Sequence, residues 1–441
     1  MKQLYLESQG CQMNERDAER LAAGLLTDGW RLVKNPADAD LILVNACSVR
    51  EKAASHALGR LRQLYSLTQK RPGLLFGLTG CLAQHLGDEA RDLLPRLNLL
   101  TGPGAVERLP RLVEKVKKPE DFAKDLDPAG PEGDFDPDGD HRLDHPAIGP
   151  HAAFVTVMEG CENRCAYCVV PDLRGPEVSR RPETVLAEVA HLAAQGFTEV
   201  TLLGQNVNSY RSKGRRFPRL LREVARVDGI KRVRFTTSHP KDLSRDLLEV
   251  MAAEPAVCEQ LHLPLQSGSD KILGAMGRGY TRDRYRTLVR QARELLPDLT
   301  LTTDVIVGFP GETEEDFSLT AGLVEETGFA SAFMFKYSPR PGTPAFALPD
   351  DVSPEVKQAR LERVIGLITE SAFARNRELV GRTLEVVVEG RDKRGEPFGR
   401  TRGGKPVKLP GEALEPGRYC TVEITGAGPW SLTGRRAEVI S

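Results

Sequence analysis

Three cysteines fall within eight residues, Cys161-Glu-Asn-Arg-Cys165-Ala-Tyr-Cys168, directly after the apolar, β-branched run Ala153 to Met158. Thiolate is a soft ligand suited to iron-sulfur clusters, and three thiolates on one tight loop can each hold one iron of a cubane. The fourth iron then lacks a protein ligand, which leaves a coordination site for a small molecule, with Tyr167 placed to pack over it. Structural zinc is the alternative chemistry, but it takes four ligands. The loop supplies three, and His151 is the nearest candidate for a fourth. Three unrelated core cysteines seldom lie so close together in a chain.

Three more cysteines sit at equivalent places in the first hundred residues. The pattern predicts strands at Lys2–Glu7, Ala39–Asn45 and Leu74–Thr79, with helices at Glu15–Thr27 and Val49–Tyr65 between them. Cys11, Cys47 and Cys81 follow the three strands in turn. In a parallel sheet the loops leaving the carboxyl ends of the strands gather at one edge, so these thiols could meet and hold a second cluster. The competing reading is three small buried residues, the usual role of a free cysteine.

From Ala153 a βα alternation runs for about two hundred residues. Predicted strands at Glu199–Leu203, Arg232–Thr237, Val257–Leu265, Leu299–Val307 and Ala330–Tyr337 complete six units with the first. Six units are too few for a closed eight-stranded barrel and suit a partial (β/α)6 barrel, open on one side. Its reactive mouth lies where the strands end. Gln205, Asn206, Ser238, His239, Gln266, Ser267, Gly308 and Glu312 occupy those loops. Turn chemistry alone would also favour such residues there. No proton-transfer role is assigned to His239, which precedes Pro240.

The chain is 441 residues with a net charge of −1 and 40% hydrophobic residues, which predicts a soluble protein of several domains. No apolar run reaches the roughly twenty residues of a membrane span, and the start lacks a signal-peptide pattern. Eight cysteines are too few for a disulfide framework in so long a chain. A cytoplasmic protein, acting as a monomer, is expected. The segment Pro119 to His145 carries ten acidic and two basic residues and reads as a solvated linker. Ser353 and Pro354 open a long helix, and beyond Gly381 a period-two pattern predicts a small all-β barrel. Its turns hold Arg391, Lys393, Arg394, Arg400, Arg402, Lys405 and Lys408, a basic set that could grip looped nucleic acid or simply be solvated. The expected domains are 1–118, a linker 119–146, 147–377 and 378–441.

The cysteine loop resembles the signature of the radical S-adenosylmethionine superfamily, and the whole chain outside the linker resembles its methylthiotransferases. The motifs are Gly10-Cys-Gln-Met-Asn14, Asn45-Ala-Cys-Ser-Val-Arg-Glu-Lys52, Thr79-Gly-Cys81, the Cys161 loop, Gly204-Gln-Asn206, Thr237-Ser-His-Pro240, Leu265-Gln-Ser-Gly-Ser269, Gly308-Phe-Pro-Gly311 and Tyr337-Ser-Pro-Arg340. The first two look like the branch that makes 2-methylthio-N6-(dimethylallyl)adenosine in tRNA. Sister branches act on threonylcarbamoyl-adenosine or on a ribosomal-protein aspartate. Ala18, Ala46 and Asp172 depart from the family pattern.

The resemblance implies an amino-terminal α/β cluster domain, a radical core and a carboxy-terminal TRAM domain. It implies two 4Fe-4S clusters, on Cys11, Cys47 and Cys81 and on Cys161, Cys165 and Cys168. S-adenosylmethionine serves as radical source and methyl donor, held by some of Gln205, Asn206, Gln266, Ser267, Gly308 and Glu312. The expected reaction inserts sulfur and methyl at carbon 2 of the adenosine at position 37. The TRAM domain, through Arg400, Arg402 and Lys405, is expected to bind the anticodon stem-loop, with an electron donor and a sulfur source as further partners. A zinc-stabilised RNA-binding protein without catalysis is the alternative from another class.

Overall fold

The computed structural model describes residues 2–48, 51–128 and 149–437, with the side chains of residues 51–56 outside the description. The first domain is built on a parallel sheet. Its elements are β1 (Gln3–Gln9), α1 (Gln12–Thr27), β2 (Arg31–Leu32), β3 (Leu41–Ala46), α2 (Glu51–Lys70), β4 (Leu75–Thr79), α3 (Cys81–Leu86), α4 (Glu89–Leu93), β5 (Leu99–Thr101), α5 (Leu109–Lys115) and β6 (Ala123–Asp125). The strand order is β2-β1-β3-β4-β5-β6. Strands buried on both faces need apolar residues throughout, as in the run Leu41-Ile-Leu-Val44. Ile42 and Val44 pack with Leu61 and Leu64 of α2 on one face, and Leu41 and Leu43 with Leu21 and Leu25 of α1 on the other.

One expectation is corrected here. The linker was expected from residue 119, yet Ala123–Asp125 pairs with Leu99–Thr101 as the sheet's edge strand. Arg108 fixes it through Asp125 at 2.6 Å, and Asn98 Nδ2 donates to Pro119 O and Asp121 O. An edge strand needs only one apolar anchor, here Ala123, so an acidic composition does not exclude it. The rest of the expected linker lies outside the described residues.

The core follows the predicted alternation. It comprises β7 (Ala152–Thr156), β8 (Met158–Glu159), α6 (Val170–Arg174), β9 (Val178–Ser179), α7 (Pro182–Ala194), β10 (Glu199–Leu203), β11 (Arg211–Ser212), β12 (Arg215–Arg216), α8 (Phe217–Ala225), β13 (Arg232–Phe235), α9 (Arg245–Ala253), β14 (Gln260–His262), α10 (Asp270–Ala275), α11 (Arg282–Leu295), β15 (Thr300–Val307), α12 (Glu314–Thr327), β16 (Ser331–Lys336) and α13 (Pro354–Arg377). Parallel sheets β13-β10-β7 and β14-β15-β16 meet at a single bridge, Val233 to Val257. The strand expected over Val257–Leu265 is therefore only three residues long. Val200, Leu202, Val233, Leu301 and Val305 face the helices, while Phe154 and Leu203 face inward and receive Met13 of α1. Thr313 closes a capping box on α12, and Gly328 ends that helix in the left-handed conformation.

The last domain is a closed barrel, in order β17 (Thr383–Arg391), β18 (Pro397–Thr401), β19 (Pro406–Lys408), β21 (Leu432–Arg436) and β20 (Tyr419–Ala427). It sits across the amino ends of the core strands. Arg232, on β13 and fully buried, meets Glu385 at 2.7 Å, and Arg234 donates to Thr401 O at 3.0 Å. Thr198, just before β10, bonds the Tyr419 hydroxyl at 3.0 Å. The small barrel thus seals the end of the core opposite its mouth. Buried ion pairs join the first domain to the core: Arg16–Glu188 at 3.2 Å, Arg20–Glu159 at 2.6 Å and Arg174–Asp17 at 2.6 Å.

Candidate metal centres and the barrel mouth

The Cys161 loop leaves the carboxyl end of β7 and β8 and is held by its own backbone. Cys161 N donates to Gly175 O at 3.1 Å, Cys168 N to Cys165 O at 3.0 Å and Ala166 N to Met276 O at 2.9 Å. The three thiols feel one another: burial, then Cys165, with Cys161 adding to it, pushes the Cys168 thiol up to about 12. Arg278 Nη1 donates to Cys165 Sγ at 3.2 Å. Tyr167 packs against the cluster of Ile272, Met276, Phe309 and Tyr337.

The second triad forms at the sheet edge. Cys11 precedes α1, Cys47 follows β3, and Cys81 begins α3. A hydrogen bond from Cys47 is the main cause that lowers the Cys11 thiol to about 6. Gly10 permits this approach, because a Cβ there would stand 2.6 Å from Cys47 Cβ. Asn14 and Asn45 lock the loops behind, with Asn45 Nδ2 donating to Asn14 O at 2.6 Å. Cys81 packs on Val169 and Leu173, so α6 reaches from one triad to the other.

Among the described residues, no three Cys, His, Asp or Glu side chains stand close enough to share one metal ion. Structural zinc takes four ligands, and each triad supplies three. His151 is not a fourth ligand either, since it lies at the opposite end of β7, edge-on to Tyr419 with ring centroids 6.3 Å apart. A cubane spreads its thiolates over separate irons, so its donors stand wider apart. Two all-thiol triads, each beside a buried guanidinium that balances anionic charge, fit such groups.

The mouth residues divide into two sets. Gln205 Oε1, Asn206 Oδ1, Ser238 Oγ and Gln266 Oε1 are buried polar atoms without a hydrogen-bond partner. Buried polar atoms are rarely left so, and these four lie in the loops that follow β10, β13 and β14. Thr237 and Gln266 adopt φ of 66° and 63° there, strain typical of functional loops. His239 stays neutral, pushed down to about 2 by burial, Arg278 and Lys241, and its Nδ1 accepts from Lys241 N at 3.2 Å.

The other set is committed to the fold. Ser267 Oγ bonds Thr320 at 3.2 Å, and Gly308 N donates to Glu312 Oε2 at 2.6 Å. Arg360 of α13 also takes Glu312 Oε2, at 2.9 Å, leaving only its Oε1 without a partner. Turn and helix-docking chemistry explains Ser267, Gly308 and most of Glu312.

Comparison with known proteins agrees with this architecture. Residues 3–102 match the uncharacterized protein family UPF0004, 155–324 the radical SAM superfamily and 377–436 the TRAM domain. A tRNA-2-methylthio-N(6)-dimethylallyladenosine synthase of Symbiobacterium thermophilum is 44% identical, with 99% of this chain and 94% of that one covered. The chain belongs to the tRNA-2-methylthio-N(6)-dimethylallyladenosine synthase family. A synthase of that name from Cereibacter sphaeroides is 43% identical over 99% of this chain and 98% of its own. The radical S-adenosylmethionine methyltransferase TsrM of Kitasatospora setae shares the fold, with a TM-score of 0.61 at 15% identity, covering 78% of this chain and 75% of that one.

Within this family member the three cations expected to hold RNA also make contacts within the fold. Arg400 is bound to Glu389 at 2.7 Å, Arg402 to Glu259 at 2.8 Å and to Val257 O, and Lys405 to Asn376 at 2.6 Å. Arg402 and Lys405 dock the small barrel on the core and on α13, and Arg400 braces the wall of that barrel. Lys393, Arg394 and Lys408 remain exposed. Sequence reasoning missed Arg174, Arg278 and the inward pair His262–Asp304, 3.3 Å apart. Their partners lie far away in the chain, so no local signal announces them. Of the departures from the family pattern, Ala18 and Ala46 are buried core residues and Asp172 is exposed in the first turn of α6.

Proposed function

We infer that this protein is a tRNA-modifying radical methylthiotransferase that places sulfur and methyl on carbon 2 of N6-(dimethylallyl)adenosine, at position 37. The observation that supports it most is the pair of all-thiol triads joined through α6. Cys161, Cys165 and Cys168 would hold one 4Fe-4S cluster, and Cys11, Cys47 and Cys81 the other. Such clusters supply what side chains lack here, one-electron cleavage of S-adenosylmethionine and a sulfur to be passed to an unreactive aromatic carbon.

The chain's own residues bind and orient. Gln205, Asn206, Ser238 and Gln266 offer hydrogen bonds to S-adenosylmethionine at the mouth. Met13, Phe154 and Leu203 pack the first domain against the inner wall of the core. The small barrel shuts the far end, so substrate enters by the mouth. Among the described residues no helix is long and apolar enough to cross a membrane.

Anaerobic incubation with S-adenosylmethionine, a reductant and two tRNA pools tests the reading. Mass spectrometry of the nucleosides should find the methylthio product in the pool carrying N6-(dimethylallyl)adenosine. Product only in the threonylcarbamoyl-adenosine pool would transfer the protein to the sister branch.

A further inference from the structure

Each triad has one buried guanidinium beside it, and the two are held differently. Arg278 is 5% exposed and touches Cys165 Sγ at 3.2 Å, the Tyr280 hydroxyl at 3.3 Å and Pro264 O at 3.5 Å. Among the described residues no carboxylate forms an ion pair with it. The carboxylate acting on Cys161 is Glu177, which is partly exposed and bonded to Ser209 at 2.8 Å. Solvent screens that charge, whereas Arg278 acts through protein.

Arg174 is 8% exposed and ends α6, whose Leu173, with Val169 just before the helix, packs on Cys81. It meets Asp17 Oδ2 at 2.6 Å, and Asp17 is itself 1% exposed. A charge paired this closely presents a reduced field to its neighbours. Cys81 and Cys11 therefore face a cation whose field Asp17 partly offsets, and Cys165 faces a cation with no carboxylate paired to it.

Charge and hydrogen bonds to the sulfurs are among the levers that set the reduction potential of thiolate-bound iron. An added electron is stabilised by a nearby buried cation and much less by a compensated one. We propose that Arg278 raises the reduction potential of the site on Cys161, Cys165 and Cys168, while Asp17 offsets part of the corresponding effect of Arg174 at the site on Cys11, Cys47 and Cys81. Both arginines are positioning residues, acting through the thiolates. This rests on the two-cluster reading above.

The test uses the full-length, anaerobically reconstituted protein, titrated with dithionite as one-electron reductant and followed by electron paramagnetic resonance. Iron and sulfide are counted first, and a wild type holding one four-iron equivalent overturns the two-cluster reading before any potential is read. The Cys11→Ala/Cys47→Ala/Cys81→Ala variant supplies the signal of the Cys161 site alone. Arg278→Gln should lower the midpoint of that site and leave the other unmoved, with Arg278→Lys recovering most of the shift. Asp17→Asn should raise the midpoint of the Cys11 site alone. An unshifted Cys161-site midpoint in iron-replete Arg278→Gln overturns the proposal. So does an unmoved Cys11-site midpoint in Asp17→Asn, which decides the matter if Arg278→Gln fails to hold iron.

Discussion

Arg402 Nη2 lies 2.8 Å from Glu259 Oε1, and the same nitrogen donates to Pro255 O and Val257 O at 2.8 Å. A residue that composition alone would give to RNA is thus the bolt between the small barrel and the amino end of the core. Replacing Arg402 with Ala should leave the salt dependence of tRNA binding by the folded protein unchanged. Replacing exposed Lys393, Arg394 and Lys408 together should flatten that slope. Filter binding across a salt series checks both, and a flattened slope in Arg402→Ala would contradict the docking role.

Arg232 is the deepest member of the same interface, fully buried between Glu385 at 2.7 Å and Glu199 at 3.7 Å. Glu385 is partly exposed and Glu199 keeps Arg234 at 2.7 Å, so the loss is mainly that of the packing and hydrogen bonds of Arg232. Arg232→Ala should cost about 1–3 kcal/mol in urea unfolding.

Gly404 has φ of 79°, and a Cβ there would stand 2.5 Å from Gln260 Oε1. Gly404→Ala therefore combines left-handed strain with a clash against the end of β14, and should cost about 1–3 kcal/mol. Thermal unfolding reads this as a lower Tm, and an unchanged Tm would show that the turn does not press on the core.

Burial, with Arg375 nearby, lowers the Lys405 ammonium to about 8. A lysine whose folded pKa is depressed favours unfolding while both states are protonated. As pH rises from about 8 towards its ordinary value, the folded state sheds its proton first and stability increases. Wild type should gain stability over Lys405→Met across that window. Urea midpoints at pH 7, 8, 9 and 10 measure the difference, and a flat difference contradicts it.

Cys165→Ala should abolish 5′-deoxyadenosine formation, whereas Cys47→Ala should retain some and lose methylthio transfer. Liquid chromatography of both products in one reaction checks the separation of roles.

The cysteine loops were legible in sequence because ligand spacing and strand-end placement are local properties. Strand ends put Cys11, Cys47 and Cys81 on one edge, and Gly10 lets its loop close on Cys47. The edge strand Ala123–Asp125 was hidden because pairing, not composition, makes it a strand. The intramolecular partners of Arg400, Arg402 and Lys405 were not legible because a cation's partner cannot be known from its own neighbourhood: Glu259 lies 143 positions from Arg402. The same distance problem hid Arg174 and Arg278. Ser267, Gly308 and Glu312 sat in the right loops, but only coordinates reveal which atoms of a loop are already spent on the fold.

Mössbauer spectra of the iron-57 protein, with iron counted per chain, bear most directly on the two-site account. Wild type should carry two four-iron clusters, and the Cys11→Ala/Cys47→Ala/Cys81→Ala variant one. A single cluster in wild type, or no loss of iron in the variant, would contradict it.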